Sequence, residues 1–464
     1  MQFNSLAYLL FLPTAFALYW GLPKRWRNVV VVAMSFIFYG WWDVRFLGLM
    51  IATCSACWAL ALLMGKGGER MKKWLCGFAV TIGLGVLGIF KYFDFFSTSL
   101  SHLIEECGGH GNLPLLNIVL PVGISFYTFQ AIGYVIDVYR GNTPPCKSIW
   151  QFFAFVSFFP QLVAGPIERS GRLLPQFASP RQFNRGLATE GMQRILWGLL
   201  KKMILADTCG AVADHIFANS AAASTGELWV GAICFAFQIY GDFSAYSDIA
   251  IGSAQLFGIR LMENFDRPYF SQSIPEFWRR WHVSLMTWLR DYVYIPLGGG
   301  REGKWRKWRN TFLVFALSGL WHGAGWTYIT WGIYHAILFI PYSVLPWLNK
   351  KHQGIIAFIK SGGVFILILF GWVFFRAENI DSALTYLQGM LCGSYGDGVG
   401  FSRLPLLYIV TFMAVEGLRG CQPLAFKQSG IMKYAPLRMF LYLVFFIAAL
   451  LLGGRPSEFI YFQF

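Results

Sequence analysis

Long apolar runs separated by short polar stretches recur from one end of the chain to the other. Ser5 to Leu22, Asn28 to Val44, Phe46 to Met64, Trp74 to Phe90 and Leu441 to Gly453 are examples. Each is near the ~17 to 25 residues that a helix needs to cross a bilayer, or a little under it. Hydrocarbon offers no partner to an open strand edge, so runs of this kind form helices. The pattern predicts an all-α, polytopic membrane protein with about 10–12 transmembrane helices, some polar enough to be re-entrant or interfacial. It divides into a transmembrane core over residues 1–437 and a last crossing helix with an aromatic tail over residues 438–464.

The charges between the runs give an orientation. Met1 to Asn4 carries no basic residue, and the cluster Lys24, Arg25, Arg27 follows the first apolar run, so this run is a retained helix rather than a signal peptide. Lys66, Arg70, Lys72 and Lys73 fall two crossings later, which puts both clusters in the cytoplasm. The segment His102 to Asn112 is mildly acidic and glycine-rich and suits a loop on the outer face. Lys427, Lys433 and Arg438 precede the last apolar run, so both termini are expected outside.

Composition agrees with a lipid solvent: 464 residues, 56% hydrophobic, 18% aromatic and 13% charged, with a mean hydropathy of +0.50. The net charge of +15 raises the question of nucleic acid, but the basic residues read as loop residues between apolar runs, which positive-inside bias explains. Cys54 and Cys57 lie within one helical run with no His or second Cys pair nearby, which argues against zinc or redox chemistry. No metal site is expected.

Polar residues enter the apolar runs from Pro121 onward. The stretch Pro121 to Gln130 holds Ser125, Tyr127, Thr128 and Gln130, which must face protein or water at membrane depth. Gln238 to Asp248 carries two carboxylates, Asp242 and Asp248, six residues apart. Insertion of each without compensation costs ~3 kcal/mol, so each needs a partner, in a helix–helix cluster or along a substrate path. Glu276 to Arg309 interleaves Trp278, Trp281, Trp288, Trp305 and Trp308 with Arg279, Arg280, Arg290 and Arg309. That composition suits an interfacial helix gripping anionic lipid, which accounts for most of these charges, with a subset able to meet a phosphorylated ligand. His282 lies inside it. After the basic segment comes Ser318 to Trp326, with Trp321, His322, Gly323 and Gly325, followed by a run holding His335. A histidine within an apolar helix is expected neutral and hydrogen-bonded, and the glycines permit close approach of another backbone or a narrow ligand. Taken alone, such a histidine is more often packed than catalytic.

Several of these blocks, in this order, resemble the membrane-bound O-acyltransferase family, and within it the bacterial branch that O-acetylates exported polysaccharides such as alginate or peptidoglycan. They are Pro121 to Gly141, Asp242 to Gly252, Glu263-Asn-Phe265 with Arg267-Pro-Tyr269, Glu276 to Tyr294 ending in Pro296-Leu-Gly298-Gly299, and Gly319 to Ala324. Ala245 departs from the pattern where glycine is common, which bears on packing rather than chemistry. The resemblance implies a tunnel through the membrane in which His322, the family's near-invariant histidine, faces His282 forty residues upstream. It implies acetyl-CoA as a cytoplasmic donor substrate, with no cofactor bound permanently. A polysaccharide acceptor and a periplasmic SGNH-type acetyltransferase or esterase partner follow, in the inner membrane of a bacterium.

Transfer from a thioester to an alcohol requires removal of the hydroxyl proton and stabilisation of charge on the acyl oxygen. A neutral imidazole, with a pKa near ~6.5, suits the first task and is assigned to His322. His282, or donors near it, would orient the donor or stabilise the oxyanion. Arg279, Arg280 and Arg290, with Trp321, are the candidates for holding coenzyme A. The chain ends Glu458-Phe459-Ile-Tyr461-Phe462-Gln463-Phe464, four aromatics in six residues. An interfacial anchor is one reading. The other follows from resemblance to the aromatic C-terminal motif of a small partner peptide in the system that D-alanylates teichoic acid. There Tyr461 would accept the acyl group as an ester, and a phenol of pKa ~10 keeps that ester activated. Two alternatives remain: D-alanyl transfer from a carrier protein to teichoic acid, and a non-catalytic transporter. The second is disfavoured because no internal repeat pairs the two halves.

Overall fold

Apolar sequence that must satisfy its own backbone folds as helix, and in the computed structural model every regular element among the described residues is helical. The structure describes residues 1–301, 303–393, 396–420, 424, 434–454 and 457–460. These form two compact units: residues 1–188 with 253–262, and residues 189–252 with 263–464.

In the first unit, side-chain caps start the helices where polar residues interrupt the apolar runs. Ser5 accepts from the Tyr8 amide ahead of the helix Leu6–Gly21. Asp43 accepts from the Arg45 amide at 2.8 Å ahead of Val44–Met64. That cap explains why the apolar run expected to reach Val44 ends as a helix at Gly40, only 14 residues long. Glu69–Leu87 continues through a π-type turn at Gly88–Tyr92 into Phe93–Glu106, so the outer segment expected as a loop from His102 begins inside a helix. The helix Ile124–Tyr139 is buried along almost its whole length. Its polar residues face protein, as expected: Gln130 donates to the Phe155 carbonyl at 2.8 Å, and Asp137 accepts from Ser170 Oγ at 2.6 Å.

In the second unit, the helix Thr225–Leu256, whose last turn enters the first unit, runs through the interior. Lys304–His322 and Trp326–Val344 pack as an antiparallel pair joined by Gly323-Ala324-Gly325. Glycine permits their contact. A Cβ on Gly332 would lie 2.2 Å from the Phe315 carbonyl oxygen, and one on Gly319 would lie 2.1 Å from that of Tyr328. Beside them pack Gly354–Arg376 and Ile380–Cys392, while Leu404–Arg419 lies against Lys201–Ala206 and Asp207–Ala218, with Trp278, Trp281, Trp331 and Trp372 in the core.

Among the described residues, five helical stretches are long and apolar enough to cross a membrane: Val44–Met64, Glu69–Glu106, Thr225–Leu256, Gly354–Arg376 and Ala435–Leu452. Other expected crossings, such as Leu6–Gly21, are shorter apolar helices. The spans differ in surroundings: 78% of the apolar window of Thr225–Leu256 is buried inside the protein, against 6% for Ala435–Leu452. The tryptophan-arginine stretch does not form one interfacial helix. Trp278, Trp281 and Trp288 are core residues on Ile274–Arg280, in its C-cap and on Val283–Leu289, whereas Trp305 is 80% exposed.

Candidate active site

His322 ends the helix Lys304–His322, because Gly323 leaves the helix in an extended conformation. His282 lies between two short helices as the N-cap of Val283–Leu289, with φ 44° and ψ 51°. This left-handed conformation is uncommon for a residue with a Cβ and is held by its surroundings. Asn264 does much of that holding. Its carbonyl accepts from the Val283 amide at 3.0 Å, and its side-chain Oδ1 accepts from the Ser284 amide at 3.2 Å and from Ser284 Oγ at 2.9 Å. The Asp266 amide donates to the Arg280 carbonyl at 2.9 Å, closing the other side of the turn.

The two histidines meet in the interior of this unit. Their ring centroids are 6.3 Å apart at an interplanar angle of 61°, and both rings are buried. Trp321 touches both, at 5.7 Å from His282 and 4.9 Å from His322. Trp331 at 5.2 Å and Phe375 at 5.3 Å complete the wall around His322, and Phe243 lies 4.6 Å from His282.

Asn264 also sets the protonation of His282. Nδ1 lies 3.2 Å from Asn264 Oδ1, while the Asn264 Nδ2 donates to Ser247 Oγ at 3.3 Å. An amide oxygen has no proton to give, so His282 Nδ1 is the donor, and in the neutral ring Nε2 carries the lone pair. In that tautomer His282 Nε2 is an acceptor, so the neutral ring has no proton to donate to an oxyanion, which leaves it the orienting role.

The carboxylates on Thr225–Leu256 have the partners that burial demands. Asp248 accepts from Arg194 Nε at 2.8 Å and pairs with Lys201 at 2.5 Å, and Arg194 continues to Glu263. Asp242 pairs with Lys202 at 2.6 Å, and Lys202 also meets Asp207 at 2.9 Å. Lys201 and Lys202 open a π-helical turn, Lys201–Ala206, and as neighbours they point in different directions, so the adjacent pair serves two carboxylates six apart on Thr225–Leu256. Here the sequence reading needs correction: Arg194, Lys201 and Lys202 are 5%, 4% and 1% exposed, not loop residues of the positive-inside pattern. The signal was present in Lys201-Lys202 followed by the apolar Met203-Ile-Leu-Ala206. Arg194, Lys201, Tyr240, Asp248, Asn264 and Glu416 line a small polar pocket, and Asn264 in its wall is the residue that bonds His282.

The arginine candidates are not at the histidine pair. Arg279 is exposed, Arg290 is exposed and paired with Asp291 at 2.7 Å, and Arg280 is paired with the buried Glu276 at 2.8 Å. Tyr461 lies outside the described residues. Ile460, immediately before it, is 3% exposed in the core of this unit.

The chain belongs to the membrane-bound O-acyltransferase family, whose model matches residues 146–380, a span containing Asn264, His282 and His322. It is a multi-pass membrane enzyme of the O-acyltransferase class. It is 40% identical to the protein named "Probable alginate O-acetylase AlgI" of Pseudomonas putida, over the full length of both chains. It is 35% identical to the "Peptidoglycan O-acetyltransferase" of Helicobacter pylori over 84% of this chain and 80% of that one. Similarity to the "Teichoic acid D-alanyltransferase" of Bacillus subtilis is lower, at 30% over 66% of this chain and 78% of that one.

Proposed function

We propose that this enzyme moves an acetyl group from cytoplasmic acetyl-CoA through the bacterial inner membrane for O-acetylation of an exported polysaccharide of the alginate or peptidoglycan kind. The observation that carries the reading is the buried pair His282 and His322, with ring centroids 6.3 Å apart. Similarity to an alginate O-acetylase over the full chain supports the acceptor class. Both termini lie on the outer side in this reading, where a periplasmic SGNH-type partner takes over the acetyl group.

In the first step the phenol oxygen of Tyr461 attacks the thioester carbonyl and His322 accepts its proton. The C–S bond breaks as the tetrahedral intermediate collapses, and the sulfur leaves as a thiol after protonation by the imidazolium. His282 keeps the donor in line, and the ring walls exclude the water that would hydrolyse it. In the second step an acceptor hydroxyl attacks the tyrosyl ester and the phenol leaves. Arg279 and Arg290 meet the phosphates of coenzyme A at the cytoplasmic mouth.

Replacing His322 by Ala, with protein still reaching the membrane, is expected to abolish acetyl esters on the envelope polymer. Normal ester levels in that strain would overturn the assignment. For the relay, Tyr461→Phe keeps the ring and removes the nucleophile, so unchanged activity would leave only an anchoring tail. Mass spectrometry of the tail peptide separates an acetyl from a D-alanyl adduct, since the two differ in mass.

A further inference from the structure

The polypeptide after the lipid-exposed helix Ala435–Leu452 turns back into the protein. The Gly454 amide donates to the Met203 carbonyl at 2.9 Å, and Phe459 and Ile460 are 1% and 3% exposed. What receives this segment is ionic. Lys202 Nζ donates to Ser457 Oγ and to the Glu458 carbonyl, both at 3.3 Å, and stands 4.5 Å from the centre of the Phe459 ring. Ser457 Oγ donates to Asp207 at 2.7 Å, and the Ile460 amide donates to Asp242. Phe459 also meets Tyr246 edge-on at 5.4 Å.

A buried ammonium with two carboxylates is costly unless every proton and lone pair is used. Here Asp207, Asp242 and the tail share that satisfaction, so the cluster is completed by residues 457–460. Asp242, which holds the Ile460 amide, is followed on the same helix by Phe243, whose ring lies 4.6 Å from His282. We infer that Lys202, Asp207 and Asp242 are positioning residues for the reaction, a socket that seats residues 457–460, the segment leading to the relay candidate Tyr461. This rests on the reading of Tyr461 as the acyl relay.

The test uses the full chain in lipid nanodiscs and reads one C-terminal peptide twice, by amide hydrogen exchange and by acyl occupancy, together with transfer from acetyl-CoA. Lys202→Met keeps side-chain length and removes the charge. Ile460→Pro leaves Lys202, Asp207 and Asp242 in place and removes the amide that Asp242 accepts, together with the buried Ile460 side chain, so it carries the test if Lys202→Met fails to fold. Both are expected to speed exchange at residues 457–460 by about tenfold or more, equivalent to ~1.4 kcal/mol of lost protection. Acyl occupancy and transfer should fall by a similar factor, while peptides around His282 and His322 keep wild-type exchange. Unchanged exchange at 457–460 in both variants would overturn the socket. Faster exchange with undiminished transfer would overturn its positioning role. Failure of the relay reading has its own signature, full activity in Tyr461→Phe with no acyl group on the wild-type tail, and the exchange data judge the socket regardless.

Discussion

Asn264 supports the candidate site with a single amide group, and its removal has a calculable effect. Its Oδ1 takes three buried donors: His282 Nδ1 at 3.2 Å, the Ser284 amide at 3.2 Å and Ser284 Oγ at 2.9 Å. In Asn264→Ala the serine hydroxyl can rotate to another acceptor, but the ring N–H and the backbone amide cannot. Each buried donor left unsatisfied costs ~1–3 kcal/mol, so the turn loses about 2–6 kcal/mol of local stability. The tautomer preference of His282 weakens as well. A hydrogen bond worth ~0.5–1.5 kcal/mol biases the two tautomers by roughly 2- to 12-fold. Displacement of the ring by about 1 Å adds up to ~10²-fold. The expected outcome is a fall in acetyl transfer of about 10- to 10³-fold with protein still in the membrane. Asn264→Asp retains the acceptor and should recover a large part of the activity of the alanine variant. The assay is transfer from labelled acetyl-CoA by purified protein, with monodispersity as the control for folding. Wild-type transfer by a folded Asn264→Ala protein would refute the claim that this amide orients His282.

Gly332→Val would force a side chain against the Phe315 carbonyl, where even a Cβ would sit 2.2 Å away. It is expected to destabilise the second unit by several kcal/mol, of order ~3, and to lower the melting temperature, which a thermal shift assay in detergent checks. Gly362, with open space around it, is the matched control. Arg279→Ala and Arg290→Ala should raise the KM for acetyl-CoA by about two- to fivefold each with little change in kcat, the scale of an exposed charge contact. Initial-rate kinetics check this, and an unchanged KM in the double variant would assign both residues to the lipid interface.

The facing of His282 and His322 was implied by resemblance to the family; the helical class, the helix around His322 and the need of Asp242 and Asp248 for partners were legible in the residues themselves. They depend on local information: the length of apolar runs, the placement of glycine, and the cost of a lone charge in hydrocarbon. The partners were not legible. Lys201 and Lys202 read as one more basic pair, and nothing in the order of residues ties them to carboxylates some forty positions later or to the tail at 457–460. The role of Asn264 depends equally on a turn eighteen residues away, whose left-handed conformation at His282 has no glycine to announce it.

Sequence by itself therefore determined which solvent the chain occupies, which segments are helical, and which residue types must be satisfied in the interior. Tertiary structure decided which helix faces lipid and which faces protein. The physical reason is that lipid and protein interior are both apolar, so no amphipathic stripe separates the two environments. Thr225–Leu256 and Ala435–Leu452 both read as spans, yet one is 78% and the other 6% buried by protein. Only the fold shows that the first carries the ion pairs and a ring against His282, and that the chain beyond the second turns inward onto Lys202.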